Sequence, residues 1–493
     1  MNRTGIGISG FSVYLPRYRV RLADWCRWTG DNWDKVRTVV GSGFRMRGPD
    51  ENAYTMAATA ALRLIDRYGI DPTRIGFLAL GTESSTDNSA GAVIVKGMLN
   101  DALRQQGRSP MSRACEVPEF KHACLGGIYA IKSAARYLAC DGRDRLAIVV
   151  SADVAEYARG TSGEPTQGAG AVAMLMSANP TLLDLELPIS GSASDYRGPD
   201  FRKPFLRFMQ QAPGAFAQPR DFPVFNGKYS TTCYVDEVLA AMRDLFERIQ
   251  KRCTPAPRPS EFLRDIAATF LHRPYQRMAE TGLIMSYLLA LSLGGSEDRA
   301  ELASYATAAG VSLDELTAEL GAAPEVYQLV REGTLGTELY PLATEVTRAF
   351  RSTPMFERLM TSLGRASVQD IGNLYSASLP AWLAAGMEDA AERQVSLAGR
   401  RILALGYGSG DAAEAIPMQV VPGWETAARS IGFAEALKDP VDLDESGYTT
   451  LHDGRVTELS SAQRPTGVFY IDRVGSRDHS FDDHGIEYYR FEG

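Results

Sequence analysis

The sequence predicts an α/β protein arranged in two halves. Three observations carry this. Apolar runs of strand length alternate with segments of helical period through about residue 178. The alternation resumes after residue 179 with larger interruptions. Several of the runs end in polar or glycine-rich stretches, as buried strands do where ligands bind in open α/β sheets.

Residues 5–15 read as a strand broken by glycines, and Leu22–Thr29 as a short helix. Arg45 and Arg47 flank a turn, solvated or facing phosphate, with solvation the favoured reading. Residues 53–68 are amphipathic, with Met56, Ala60, Leu62 and Leu64 among the apolar positions. The run from Ile75 ends in Gly81-Thr-Glu83, so the Glu83 carboxylate emerges at the carboxyl end of a central strand. A helix over 90–104 follows. A turn at Cys124-Leu-Gly-Gly127 then opens a helix, and residues 145–153 form the next buried strand. Residues 161–170 are glycine-rich, either a tight turn or a ligand-facing loop, and feed a strand at 171–177.

In the second half a long helix covers about 231–251. An apolar strand at 266–275 ends at His272 and is stopped by Pro274. Residues 284–345 are rich in Ala, Leu and Glu and read as helices of an insertion. Gly372–Ser378 starts a helix with capping residues. Strands follow at 401–410 and 415–421, and again at 467–472 and 485–491. The domains are therefore 1–178 and 179–493, the second carrying the helical insertion.

The composition is that of a globular protein: 45% hydrophobic and 23% charged over 493 residues. A net charge of −8 without a dense Lys/Arg cluster gives no nucleic-acid surface. No apolar run is long enough to span a bilayer and no signal peptide is visible, so the expected location is cytoplasmic, with no membrane partner. The six cysteines are scattered, as reduced thiols are, and the five histidines lack metal-ligand spacing, so no metal is expected.

Three chemistry-bearing residues stand at element ends in separate segments: Glu83, Cys124 and His272. Cys124 is a small buried hydrophobe or a nucleophile. At a helix N-terminus, unpaired N–H groups and the dipole favour the thiolate, so an ionised sulfur is expected. Glu83 is a cap or a base; His272 is a structural residue or a donor. Together they suit carbon–carbon condensation of thioesters: a thiolate takes an acyl group, a base removes an α proton, and donors hold the oxyanion.

The chain resembles the 3-hydroxy-3-methylglutaryl-CoA synthase family of the thiolase superfamily. The resemblance rests on Gly81-Thr-Glu-Ser-Ser-Thr-Asp87, Ala123-Cys-Leu-Gly-Gly127 and Gly163-Glu-Pro-Thr-Gln-Gly-Ala-Gly-Ala171. It continues through Asn226-Gly-Lys-Tyr-Ser230, His272-Arg-Pro-Tyr-Gln-Arg277, Gly372-Asn-Leu-Tyr-Ser-Ala-Ser378 and Gly406-Tyr-Gly-Ser-Gly410, all in the family's order. It implies a thiolase-like five-layer α-β-α-β-α fold of two similar halves, as a homodimer. It implies Cys124 as acetyl acceptor, Glu83 as base and acid, and His272 as the group that anchors acetoacetyl-CoA. Asn373 would contact the acetoacetyl group. The N–H groups of Cys124 and Ser409 would form the oxyanion hole. Tyr157 and Ser378 would line the pocket, and Thr166, Gly227 and Arg277 the pantetheine and phosphate path. No cofactor is implied: the coenzyme A thioesters acetyl-CoA and acetoacetyl-CoA are substrates. Arg277 and Asn226 stand where the family usually has lysine and aspartate, and Leu125 where tyrosine is frequent.

The resemblance implies formation of 3-hydroxy-3-methylglutaryl-CoA for the mevalonate pathway. Two alternatives remain at this stage. One is a polyketide β-branching synthase acting on a β-ketoacyl chain of an acyl carrier protein. The other is a non-catalytic scaffold subunit with a thiolase partner, for which the insertion is the only feature.

Overall fold

A computed structural model describes residues 5–493 except 86, 204–221, 225, 336–338, 361–362, 456–464 and 478–481. The first half runs β1 (Ile6–Tyr14), β2 (Tyr18–Arg21), α1 (Leu22–Thr29), α2 (Trp33–Val39), β3 (Gly43–Met46), α3 (Ala53–Arg67), β4 (Ile75–Gly81), α4 (Gly91–Gln105), β5 (Glu119–Phe120), α5 (Gly126–Ala139), β6 (Leu146–Ala155) and β7 (Gly168–Ala178). Next come β8 (Leu183–Leu185), β9 (Gly191–Ser194), α6 (Lys228–Arg252), α7 (Pro259–Asp265), β10 (Ala268–Leu271) and α8 (Gln276–Ser292). Helices α9 (Ser296–Ala309), α10 (Leu313–Gly321), α11 (Val326–Glu332), α12 (Pro341–Phe350), α13 (Pro354–Leu359) and α14 (Arg365–Val368) lead to α15 (Ser378–Glu392), β11 (Arg401–Gly408) and β12 (Ala412–Val420).

Strands of both halves join one 10-stranded sheet, ordered β10-β11-β12-β8-β1-β7-β6-β4-β5, with β9 on β12. The short strand β8 makes the join, because it bonds to both β1 and β12. β4 is apolar throughout and fully buried, as a central strand covered on both faces must be. It pairs in parallel with β6, which pairs antiparallel with β7.

Helices α3 and α4 cover one face of the first-half strands. Alanines along α3 (Ala57, Ala58, Ala60, Ala61) let it lie close to the sheet. Asn52 caps it by accepting from the N–H groups of Tyr54 and Thr55. On the other face α5 and α15 form a central layer, and α15 also touches β10 and β11. Helix α6 covers β9, β11 and β12, and α8 packs on α6. The order is therefore helix, strand, helix, strand, helix, the thiolase-like arrangement.

Two details differ from the sequence reading. Arg45 is not solvated: it lies in β3, 1% exposed, and donates to the carbonyls of Pro16 and Leu437. Desolvating a guanidinium is tolerated here because carbonyls receive its N–H groups. Residues 284–292 belong to α8, because the apolar run Leu283–Leu291 continues the helix begun at Gln276 and buries it against α6. Helices α9, α10 and α12 then pack on α8, burying Leu302, Ala306, Leu316, Leu320, Val346 and Phe350. Among the described residues no helix is long and apolar enough to cross a membrane.

Candidate active site

Cys124 sits one residue before Leu125, the cap of α5. The turn is tight: Ala123 has φ +40, a region that disfavours L side chains. It stays tight because the helix start is pressed onto the sheet. A Cβ on Gly127 would overlap Ser151 of β6, and one on Gly81 would overlap the Gly127 backbone. Only glycine admits this approach. Glu83, just past the end of β4, is thereby brought to the thiol: Cys124 Sγ donates to Glu83 Oε2 at 3.7 Å.

Asp153, at the end of β6 and fully buried, builds the loop that aims Glu83. Its Oδ1 accepts from the N–H groups of Glu83 (2.8 Å) and Ser84 (3.0 Å) and from the hydroxyls of Thr82 and Ser84. Its Oδ2 accepts from Ser376 N–H at 3.0 Å and from the Ser376 hydroxyl at 2.5 Å. One carboxylate thus ties the loop carrying Glu83 to the turn before α15. Tyr157, Tyr375 and Phe201 pack edge to face around Cys124, with ring centroids 5.8–6.3 Å apart. Lys203 Nζ stands 4.0 Å from Glu83 Oε1 and 3.5 Å from its carbonyl.

Burial pushes Glu83 up to about 8, with Asp153 adding to the rise and Lys203 opposing it. Burial also holds Cys124 well above the ordinary thiol value, and the charges of Glu83 and Asp153 add to this. The expected resting thiolate is therefore corrected. Two carboxyl groups and desolvation outweigh the helix start, so the resting thiol is protonated and Glu83 is the acceptor beside it.

His272 follows β10 and is 1% exposed. Its N–H donates to Leu405 and its carbonyl accepts from Tyr234. The ring stacks on Tyr407 at 6.4 Å, and among the described residues neither ring nitrogen has a hydrogen-bond partner. Burial, with Arg273 beside it, pushes the imidazole down to about 3, so it is neutral. Among the described residues no hydrogen bond joins this ring to Cys124 or Glu83. The adjacent strand β11 carries Gly406 and Gly408, where a Cβ would overlap Leu125, so the end of the strand runs close against the Cys124 turn.

Tyr157, Thr166 and Gly227 line a cavity of about 1200 Å³, together with the 161–166 loop and α2. The glycine-rich loop is therefore cavity-facing. Arg277 lines an adjoining cavity of about 440 Å³ with Lys228, Thr231, Arg348 and Arg351. Lys228 and Thr231 border both cavities. Asn373 and Ser378 line neither: Ser378 Oγ donates to Asn373 Oδ1 at 2.8 Å and accepts from Leu374 N–H. The backbone N–H of Asn373 bonds Thr166, and Gly372, at φ +76, leaves no room for a Cβ beside Gln167. The departure at Asn226 has a local reason, since its amide donates to the Pro199 carbonyl at 2.6 Å, which a carboxylate would not do. Sequence reasoning missed Lys203, Phe201, Tyr375, Arg348 and Arg351, and saw Asp153 only as the polar end of a strand. Their nearness to the site depends on long-range folding.

Residues 3–181 match the family described as hydroxymethylglutaryl-coenzyme A synthase N terminal. A hydroxymethylglutaryl-CoA synthase of Haloferax volcanii is 26% identical over 463 residues, covering 91% of this chain and 92% of that one. A Ganoderma lucidum hydroxymethylglutaryl-CoA synthase is 32% identical over 282 residues, 56% of this chain and 54% of its own. Among solved structures, MvaS in complex with 3-hydroxy-3-methylglutaryl coenzyme A superposes with a TM-score of 0.77 at 25% identity, each chain covered completely. The HMG synthase of the curacin biosynthetic pathway shares the fold, with a TM-score of 0.62 at 20% identity, covering 91% of this chain and 88% of that one. The fold and these likenesses define a condensing enzyme of the acyltransferase class. The chain is similar to the hydroxymethylglutaryl-CoA synthases, whose N-terminal family model it matches over residues 3–181.

Proposed function

We propose that this enzyme condenses acetyl-CoA with acetoacetyl-CoA through an acetyl-Cys124 intermediate, giving 3-hydroxy-3-methylglutaryl-CoA for isoprenoid precursor synthesis. The observation that carries the reading is the Cys124–Glu83 contact, with Glu83 held near neutrality. In its ionised form Glu83 takes the thiol proton, and the sulfur attacks the acetyl carbonyl. The acetyl group moves to Cys124, and coenzyme A leaves as a thiol carrying the proton that Glu83 returns to it, which leaves Glu83 ionised again. The N–H groups of Cys124 and Ser409 receive the oxyanion. Glu83 then removes a methyl proton from the acetyl group. The carbanion attacks the ketone of acetoacetyl-CoA, and Glu83 returns the proton to the new alkoxide. A carboxyl near neutrality serves in both directions. The neutral imidazole of His272, with its ring nitrogens unpaired among the described residues, donates a hydrogen bond to that ketone. Water hydrolyses the enzyme thioester and frees the product.

Tyr157, Thr166 and Gly227 border the pantetheine path, and Arg277 receives phosphate. Asn373 and Ser378 support the pocket by shaping its wall. The E83Q variant tests the assignment: it forms acetyl-enzyme slowly and makes no carbon–carbon bond, whereas normal condensation by E83Q would refute Glu83 as base. A carrier-borne β-ketoacyl substrate is the second reading. It is favoured by the basic rim, because phosphopantetheine also carries a phosphate. Turnover with acetoacetyl-CoA against the acetoacetyl carrier protein separates the two. We also infer a cytoplasmic homodimer, tested by sedimentation.

A further inference from the structure

Behind His272 lies a buried acidic cluster that the mechanism above does not use. Asp200 and Asp411 are 0% and 3% exposed, and a carboxyl oxygen of each lies within 4.8 Å of the other and of Cys233 Sγ. Tyr407, whose ring stacks on His272, places its hydroxyl 3.1 Å from Asp200 Oδ2 and 3.0 Å from Asp411 Oδ1. A phenol has one proton to donate. If both contacts are hydrogen bonds, one carboxyl must be protonated and donate to the phenol oxygen. Among the described residues Asp200 Oδ1 and Asp411 Oδ2 have no hydrogen-bond partner.

Charge balance points the same way. The facing groups are Tyr407 from β11, Cys233 and Tyr229 from α6, and Arg197 and Asp195 from the stretch before Asp200. Among the described residues Arg197 is the cation paired with Asp411, with Nε at 4.0 Å, but its Nη2 bonds Asp236 and Glu237 at 2.6 Å each. Burial, then the charge of Asp200 and a hydrogen bond with it, push Asp411 up to about 8.

The two aspartates sit on segments that carry active-site groups. Asp200 precedes Phe201, which packs on Tyr157 and Tyr375, and Lys203, which approaches Glu83. Asp411 follows Ser409 and pairs through its backbone with Asp195. We propose that Asp200 and Asp411 share one proton and so clasp the 195–203 segment to the Ser409 turn, acting as positioning residues that hold Phe201 and Lys203 against the Cys124–Glu83 pair. This rests on the reading of Cys124 and Glu83 as the reacting pair. Loss of the shared proton sets two carboxylates against each other in a buried site, and the segment withdraws.

The test uses D411N, whose amide donates without needing a proton, and D200N as its reciprocal. Condensation by the wild type falls about tenfold per pH unit beyond its alkaline limb, as loss of one proton requires. In D411N that limb moves up by at least one unit, while the neutral-pH KM for acetoacetyl-CoA stays within twofold. Infrared difference spectra at pH 7, wild type minus variant, show the loss of one protonated buried carboxyl in D411N and in D200N alike, Glu83 supplying the band that remains in all three. An unmoved limb, no difference band, or one bound transition-metal ion per chain after chelation of the wild type would each overturn the clasp. The infrared band does not depend on Cys124 chemistry, so failure of acetylation with the band present would strike the catalytic reading alone.

Discussion

Glu83 carries its proton through much of the neutral range because it is desolvated, and this has a consequence for stability. Its folded-state value, about 8, lies above the ordinary carboxyl value. The folded chain therefore binds more protons than the unfolded chain between those limits, and stability must fall as pH rises through that window. E83Q mimics the protonated form. Its thermal midpoint should exceed that of the wild type by about 2 °C or more at pH 9 and match it near pH 4; equal midpoints at both pH values would contradict the burial argument. Lys203 pulls Glu83 in the other direction. K203M should raise Glu83 further, shift the acid limb of condensation upward, and slow the reaction at pH 7 by about threefold to tenfold. An unshifted limb would remove Lys203 from the site. Glu83, Cys124 and His272 stood out as candidates in the sequence because each lies at an element end beside glycines or a proline. The protonation of Cys124 was not. It depends on Asp153 and Glu83, which converge on the thiol only after folding.

At the scale of elements, the contact between α5 and the sheet sets the geometry of the site. Gly81 and Gly127 bring backbone to backbone, with Ser151 closing the third side. G127A should therefore destabilise by about 1–3 kcal/mol, as overpacking does, and should reduce acetylation as well, since the Cys124 turn shifts with the helix. Denaturant unfolding and acetyl transfer report the two effects separately. The strands and main helices were legible because their apolar periods are strong; Leu22–Thr29 is one example. The start of the insertion was not, because α8 is apolar on all sides and no break in periodicity marks where core helix gives way to added helices. Arg45 misled for a related reason, since a buried arginine satisfied by carbonyls looks in sequence like a solvated one.

Across the whole molecule, the added helices do more than enlarge the core. Arg348 on α12 and Arg351 just past its end join Lys228 and Arg277 at the second cavity. Burial, followed by repulsion from Arg277 and Arg348, pushes the Arg351 guanidinium below its ordinary value, with Glu280 opposing. Like charges gathered at a cavity favour an anion there. An R348Q/R351M double variant should raise KM for acetoacetyl-CoA about tenfold, with kcat nearly unchanged. KM for an acetoacetyl-pantetheine lacking phosphate should not move. Equal effects on both substrates would show that the variant disturbs the fold and not a phosphate contact. The joining of the two halves through β8 was also invisible in sequence, since Leu183–Leu185 is too short to stand out beside the longer strands.

The account rests on a protonated thiol that one neighbouring carboxyl can discharge. Mass spectrometry of the tryptic peptide bearing Cys124, after brief exposure of the wild type and E83Q to acetyl-CoA, tests this most directly. The wild type should carry one acetyl group on Cys124, and E83Q should acquire the same group more slowly. An unmodified Cys124 in the wild type, or acetylation at another residue, would contradict it.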